Sequence, residues 1–270
     1  MQHELAILGA GNMAEAIARS LLNAGIFQAS QVIATDVSAQ RRELFQKQLG
    51  IRAIENNADA VRDVGIILLS VKPQHLKDVL GSIATASRRD VLVISIAAGI
   101  SSGFIEQNLG SGNAWRIIRS MPNTPMLIGE GMVAIAAGRH AREEDLVAAR
   151  RIFAAGATVI ELTEDKIDAV TALSGSGPAY FFYLVEQMVQ AGVNLGLAPH
   201  EAHVLATRTA LGAGRMLTAS QESPQELRRK VTSPGGTTQA AIETMEAKGV
   251  GPAIVAAVQR AAARSRELGA

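Results

Sequence analysis

The sequence predicts an α/β protein in which a doubly wound parallel sheet forms the first domain, residues 1–163, and helices alone form the second, residues 164–270. Three observations support this prediction. Short apolar segments alternate with helical segments in the first half, a glycine-rich turn follows the first of them, and strand signals stop near residue 163. Continuous apolar strands that alternate with helices are typical of a parallel sheet buried on both faces.

The first domain begins with a short apolar strand and a helix that places Ile17, Leu21 and Leu22 at helical spacing. The next helix, SAQRRELFQKQLG, is predicted to be capped by Ser38 and to end at Gly50. The predicted strands are HELAILGAG, QVIATD, GIILLSV, DVLVISIAAG, AWRIIRSM, GMVAIAAG and, at about 157–162, ATVIEL.

The second domain is predicted to be helical throughout. A proline stands at or near the start of several of its helices, where proline costs least. Small residues are abundant on these helices, so we expect close helix–helix contact that can include a second subunit. The predicted helices are EDKIDAVTALSG, PAYFFYLVEQMVQAGVNLG, PHEAHVLATRTALGAGRML, PQELRRKV, TTQAAIETMEAKG and PAIVAAVQRAAARSREL.

Composition excludes several classes of function. With 26 basic and 25 acidic residues the formal net charge is +1, so we expect no nucleic-acid partner. The chain has no cysteine, and its five histidines show no ligand spacing apart from His200 and His203, which are expected on a helix surface, so no metal site is expected. We find no signal-peptide pattern and no apolar run near 20 residues. The expectation is a cytoplasmic protein with no membrane partner.

The turn after the first strand, Gly9–Ala14, has the GxGxxA form of a dinucleotide fingerprint. Gly9 permits the tight turn, Gly11 lets the backbone approach a pyrophosphate, and Ala14 keeps helix and strand close. A tight turn without a ligand is the alternative. The position between a strand and a helix at the start of a βαβ unit favours a Rossmann-type nucleotide site.

Asp36 ends the second predicted strand, 22 residues after Ala14. A carboxylate at this place can accept both ribose hydroxyls of NAD(H) and would repel the 2′-phosphate of NADP(H). Arg41 and Arg42 follow in the next helix and could pair with that phosphate instead, or could be surface residues.

Two loops follow predicted strands, where ligands bind in sheets of this kind. Val71-Lys72-Pro73 follows the third predicted strand, and Ser120–Pro125 is either a wall of the nicotinamide site or a surface turn. In the second domain, Leu173–Tyr180 reads LSGSGPAY and could be a site or a kinked helix junction with Ser176 as N-cap.

The stretch VTSPGGTTQAAIETM, residues 231–245, places hydroxyl residues and two glycines ahead of a predicted helix. A tight turn with an N-cap would explain it. The alternative is a pocket for a small carboxylate, because glycines expose backbone N–H groups at a helix start and Thr237 and Thr238 add hydroxyl donors.

The motifs GAGNMA, SVKP, MPNTP, LSGSGPAY and VTSPGGTT resemble those of pyrroline-5-carboxylate reductase in order and spacing, over essentially the whole chain. The resemblance implies reduction of 1-pyrroline-5-carboxylate to L-proline with NADPH or NADH. It also implies a second domain that interlocks with a partner chain, giving a homodimer that can assemble into a decamer.

The resemblance assigns residues to two sets. The implied substrate residues are Glu164, Ser233, Gly235, Gly236, Thr237 and Thr238, with Thr238 as the catalytic group. The implied cofactor residues are Gly9, Ala10, Gly11, Asn12, Met13, Asp36, Asn57, Val71, Lys72, Pro73, Ala97 and Ala98. The chain departs from the family pattern at Asp36, where members commonly carry a small polar residue, and at Lys230, where some have asparagine.

Two other classes of protein remain as alternatives. β-Hydroxyacid dehydrogenases share this layout, but they use a lysine after a glycine-rich stretch, and the segment AYFFYLVEQ after SGSGP has none. A scaffold without catalytic activity is disfavoured because glycines and threonines are intact in both halves of the predicted site.

Overall fold

The computed structural model describes residues 3–110 and 114–269. The chain forms two compact units, residues 1–176 together with 261–270, and residues 177–260. The change from mixed to helical sequence near residue 163 therefore comes earlier in the chain than the boundary between the two units, which follows residue 176. The short helical segments that follow, residues 164–175, group with the sheet rather than with the helices.

The first unit is built on a sheet whose eight strands, across the described residues, run in the order β3-β2-β1-β4-β5-β6-β7-β8. The strands are β1 Leu5–Leu8, β2 Val32–Thr35, β3 Arg52–Ile54, β4 Ile66–Leu69, β5 Leu92–Ser95, β6 Arg116–Met121, β7 Gly131–Ala137 and β8 Ala157–Glu161.

Helices cover both faces of this sheet. They are α1 Asn12–Asn23, α2 Ala39–Leu49, α3 Asn57–Ala60, α4 Pro73–Ile83, α5 Ser102–Leu109, α6 Glu143–Ala154 and α7 Ile167–Val170. Short 3-10 turns span Ala29–Gln31, Thr124–Ile128 and Glu164–Lys166, and a π-helical turn spans Thr171–Gly175.

The sheet is buried on both faces because its strands are apolar. All four residues of β1 are buried, and they alternate between two hydrophobic clusters, Leu5 and Ile7 in one and Ala6 and Leu8 in the other. Because side chains alternate across a strand, each cluster fills one face of the sheet. The doubly wound α/β fold predicted from the sequence is confirmed.

Two features of the sheet differ from the sequence prediction. Strand β3 was not predicted, because it has only three residues and its first, Arg52, is exposed at the sheet edge. Strand β7 runs antiparallel to β6. Only residues 122–130 connect them, and a parallel crossover needs a dozen or more residues, so the chain turns back instead.

The second unit consists of helices, as predicted. They are α8 Gly177–Asn194, α9 Pro199–Ala219, α10 Pro224–Lys230, α11 Thr237–Ala247 and α12 Val250–Leu268, the last passing into the first unit at residue 261. Helices α8 and α9 pack closely where a Cβ added to Gly192 would lie 3.0 Å from Cβ of Ala202. Among the described helices, none combines the length and hydropathy of a membrane span.

Candidate active site

The glycine-rich turn leads from β1 into α1. Gly9 has φ +92°, and a Cβ there would lie 2.8 Å from Cγ1 of Val71 and 2.9 Å from the carbonyl of Ser70. The turn therefore needs glycine for its backbone angle and for contact with the loop after β4. A Cβ at Gly11 would meet nothing within 4 Å, and Gly11 is the N-cap of α1 without a side-chain hydrogen bond. The first N–H groups of α1 are left for a ligand.

A cavity of about 600 Å³ lies beside this turn, at the carboxyl ends of the parallel strands. Ligands bind at this edge in doubly wound sheets. The predicted cofactor residues in its lining are Gly9, Gly11, Asp36, Asn57, Val71 and Lys72. Sequence reasoning missed the other lining residues, which are Thr35, Val37, Glu55, Ser70, His75, Asp78, Val79 and Ser82.

The other predicted cofactor residues lie at the same edge but do not line the cavity. Ala10 is fully buried within the turn, and Asn12 and Met13 begin α1. Pro73 is the first residue of α4. Ala97, which is buried, and Ala98 follow β5, the strand next to β4.

Asp36 is held by backbone hydrogen bonds. Its Oδ2 accepts the N–H of Ala10 at 2.8 Å, and its Oδ1 accepts the N–H of Ser38 at 2.8 Å. Nearby, Oγ1 of buried Thr35 donates to Oδ1 of Asn57 at 2.6 Å, which fixes the start of α3 beside the cavity. These bonds orient both polar side chains before any ligand binds.

The two arginines of α2 are partly buried, so neither is a freely solvated surface residue. Arg41 reaches back to the glycine-rich turn, where its Nε donates to the carbonyl of Ala10 at 2.5 Å. Arg41 also pairs with Glu15 at 2.9 Å. Burial by itself raises the pKa of Glu15, but hydrogen bonds from Arg19 and Arg41 outweigh it, so the pKa of that carboxyl is lowered.

A second polar cluster, which we call the Arg119 cluster, lies elsewhere in the first unit and comprises Arg119, Glu164, Asp168, Ser102 and Ser265. Arg119 on β6 is 4% exposed, and its terminal nitrogens lie 3.6 Å from Oε1 of Glu164 and 3.6 Å from Oδ1 of Asp168. Glu164 accepts the N–H of Ser102 at 2.6 Å, and Ser265 Oγ donates to Asp168 at 2.6 Å. The cluster ties β6, α5, α7 and the end of α12 together.

The MPNTP and SGSGP motifs meet in the structure. Asn123 donates through Nδ2 to the carbonyl of Ser174 at 3.3 Å and accepts the N–H of Met132 at 2.8 Å. A Cβ at Gly175 would lie 2.7 Å from Cε of Met121. A π-helical turn ends at Gly175, and Ser176 directly after it has helical angles, φ −83° and ψ −19°, so Ser176 is not an N-cap.

The predicted helix after SPGG is α11, in the second unit. Gly235 has φ +70°, and Gly236 is the N-cap, with φ −85° and no side-chain hydrogen bond. Thr237 and Thr238 are thus the first two residues of the helix, and neither is its cap. Gly235 donates its N–H to Oε1 of Gln239 at 2.7 Å, and a Cβ on Gly236 would overlap Oγ of Ser233.

Across the described residues, no group of three or more histidine, aspartate or glutamate side chains is arranged to hold a metal ion.

Comparison with known proteins relates the chain to enzymes. Residues 4–99 match a family model described as NADP oxidoreductase coenzyme F420-dependent, and residues 164–268 match one described as pyrroline-5-carboxylate reductase dimerisation. The pyrroline-5-carboxylate reductase of Pseudomonas aeruginosa is 41% identical over 265 residues, which is 98% of this chain and 96% of that protein. The chain belongs to the pyrroline-5-carboxylate reductase family. The resemblance carried by the sequence motifs is confirmed.

Further relatives of the family agree along the whole chain. The Synechocystis pyrroline-5-carboxylate reductase is 40% identical and covers 100% of this chain and 99% of that protein. The structure of the Coxiella burnetii enzyme has a TM-score of 0.89 at 33% identity over 100% of both chains. That of the Plasmodium falciparum enzyme, solved with NADP bound, has a TM-score of 0.90 at 30% identity, also over 100% of both chains. Prephenate dehydrogenase from Aquifex aeolicus, at 14% identity and a TM-score of 0.55, shares the fold alone.

Proposed function

We propose that this chain reduces 1-pyrroline-5-carboxylate to L-proline, the last step of proline synthesis, with NADPH or NADH as hydride donor. The observation that carries the proposal is the 41% identity to a pyrroline-5-carboxylate reductase over 98% of the chain. The cavity beside Gly9 and Gly11 supports it, because the position at a helix start suits the pyrophosphate of a dinucleotide.

The proposed reaction depends mainly on how the substrate is positioned against the coenzyme. The bound dinucleotide supplies a hydride to the carbon of the C=N bond, and the nitrogen gains a proton. The imine can take that proton from solvent, so a strong protein acid is not required. We propose that the hydroxyl of Thr238, or a water that it holds, stabilises the protonated nitrogen.

The substrate carboxylate is proposed to bind the start of α11. The unused N–H groups of that helix start attract an anion. The residues in this proposal are Ser233, Gly235, Gly236, Thr237 and Thr238. Glu164 enters the substrate set through the family resemblance, whereas its bonds to Ser102 and its pair with Arg119 support a positioning role.

Turnover tests the proposed function. The purified chain is expected to oxidise NADH or NADPH only when 1-pyrroline-5-carboxylate is present. The loss of absorbance of the reduced nicotinamide measures this oxidation. A parallel assay with β-hydroxyacids and the oxidised coenzymes tests the dehydrogenase alternative. Folded protein that is inactive with the imine and both reduced coenzymes would contradict the proposal.

We propose that the working unit is a homodimer, which can assemble further into a decamer. Helix α8 supports this, because Phe181, Phe182 and Tyr183 are 64%, 67% and 65% exposed in the single chain. Contiguous exposed apolar side chains mark protein interfaces. Multi-angle light scattering at assay concentration should report a dimer or a multiple of it, and an active monomer would contradict the proposal.

Because the proposed reaction consumes a reduced nicotinamide coenzyme, we propose the cytoplasm, where such coenzymes are regenerated, as its compartment. Fractionation of cells that produce the chain should recover the activity with cytoplasmic markers. Recovery with another fraction would contradict this.

A further inference from the structure

The acidic groups of the cofactor cavity suggest which dinucleotide it accepts. Asp36 lines the cavity, and each of its oxygens already accepts one backbone N–H, from Ala10 or from Ser38. A carboxylate has about four lone-pair positions, so each oxygen keeps one acceptor position. Two free acceptor positions on a fixed carboxylate suit two donor hydroxyls, as on an unmodified ribose.

We propose that this site selects NADH over NADPH, with Asp36 as the principal selecting residue and Glu55 as a second one. The inference rests on the proposed function only for the identity of the ligand as a nicotinamide dinucleotide. A ribose 2′-hydroxyl donates to Asp36, whereas a 2′-phosphate donates little and brings negative charge to a carboxylate that cannot swing away without losing two hydrogen bonds.

Arg41 does not offset this charge. Its Nε donates to the Ala10 carbonyl, and its NH2 group pairs with Glu15 at 2.9 Å. The guanidinium also lies 6.0 Å from the centre of the Phe45 ring. The side chain is only 23% exposed, so redirecting it to a phosphate would break the contacts that join α2 to the glycine-rich turn.

Arg42 is also engaged. Its NH1 group donates to the carbonyls of Asp36 and Val37, at 2.7 Å and 3.0 Å. Its NH2 group lies 3.2 Å from Oε2 of Glu55, which itself lines the cavity. Glu55 therefore adds a negative charge to the lining and pairs with a guanidinium that could otherwise pair with a phosphate.

Lys72 is the lysine of the cavity lining, and it lies on another side of the cavity from Asp36. It follows β4, while Asp36 follows β2, and β1 stands between these strands. Two strand spacings separate such strand ends by roughly 10 Å. Near the end of β2 the lining therefore presents two carboxylates, Asp36 and Glu55, and Glu55 already pairs with the guanidinium of Arg42.

The two selecting residues should differ in their effects. Asp36 is partly buried and held by two backbone bonds, so its charge is poorly screened. Glu55 has a side chain that is 69% exposed, and exposed ion pairs are weak. We expect Asp36 to account for about a tenfold or larger difference in affinity, equivalent to about 1.4 kcal/mol, and Glu55 for only a few-fold.

The test is calorimetric binding of NADH and NADPH to the purified chain in the absence of the imine substrate. The wild-type protein should bind NADH at least tenfold more tightly. Asp36→Ser should reverse that ratio of affinities. If the serine variant does not fold, Asp36→Asn serves instead; it keeps an acceptor oxygen and should abolish most of the preference for NADH. Glu55→Gln should strengthen NADPH binding two- to fivefold and leave NADH binding unchanged.

Glu43→Gln is the matched control, because it removes a carboxylate of α2 that is also exposed, at 56%, pairs with Lys47 and does not line the cavity. Equal or tighter binding of NADPH by the wild type would overturn the proposal, and equal effects of the Glu55 and Glu43 variants would overturn the role of Glu55. Tight NADH binding without turnover of the imine would refute the proposed function and leave this inference standing.

Discussion

Replacing Thr238 with alanine is expected to lower kcat/KM for 1-pyrroline-5-carboxylate by roughly ten- to a hundredfold and to leave dinucleotide affinity nearly unchanged. The loss corresponds to one hydrogen bond to a charged group, worth about 1.5–3 kcal/mol. Gly236→Val should cost more, because its Cβ would overlap Ser233 Oγ and obstruct the N–H groups at the start of α11. Steady-state kinetics on both variants check the prediction.

The division of the loss between KM and kcat identifies the role of the hydroxyl. A hydroxyl that only binds the carboxylate should change mostly KM, whereas one that also serves the imine nitrogen should lower kcat as well. Thr244→Ala is the matched control, because that hydroxyl donates to the Ala240 carbonyl further along the same helix. Since Gly236 is the N-cap, the melting temperature of Thr238→Ala should stay near that of the wild type. Unchanged KM and kcat would mean that SPGGTT is only a turn.

Replacing Arg119 with leucine is expected to lower the free energy of unfolding by about 3 kcal/mol. The substitution leaves the carboxylates of Glu164 and Asp168 beside an apolar side chain and without their cation. The expected loss is at the lower end for a broken buried pair, because these carboxylates are 27% and 21% exposed. Urea denaturation at one fixed protomer concentration measures it.

Two further variants show whether the loss comes from the cluster. Arg62→Leu removes an exposed arginine that pairs with Asp59, and it should cost less than about 1 kcal/mol. Adding Asp168→Asn to Arg119→Leu should recover part of the stability, because one uncompensated charge is removed. An Arg119 variant no less stable than the Arg62 variant would contradict a structural role for the cluster.

Much of the fold could be predicted from local patterns. Helix α2 shows this clearly, since Ser38 accepts the N–H of Arg41 and Gly50 ends the helix with φ +66°, both as the sequence indicates. The strands came from apolar runs, and the nucleotide turn came from glycine spacing. Strand β3 and the reversal at β7 escaped prediction, because a three-residue edge strand has little pattern and strand direction depends on the length of the connection.

In the candidate site, too, local features could be predicted from the sequence and long-range contacts could not. The sequence by itself determined the family, the nucleotide turn and the presence of Asp36 after a strand, because each rests on short motifs whose residues are close together in the sequence. Only the tertiary structure decided that Arg42 pairs with Glu55 and that Arg119 meets Glu164 and Asp168. The partners of a long charged side chain depend on which strand ends and helix starts the fold brings side by side. The spacing of residues in the sequence does not give the distance between them in space.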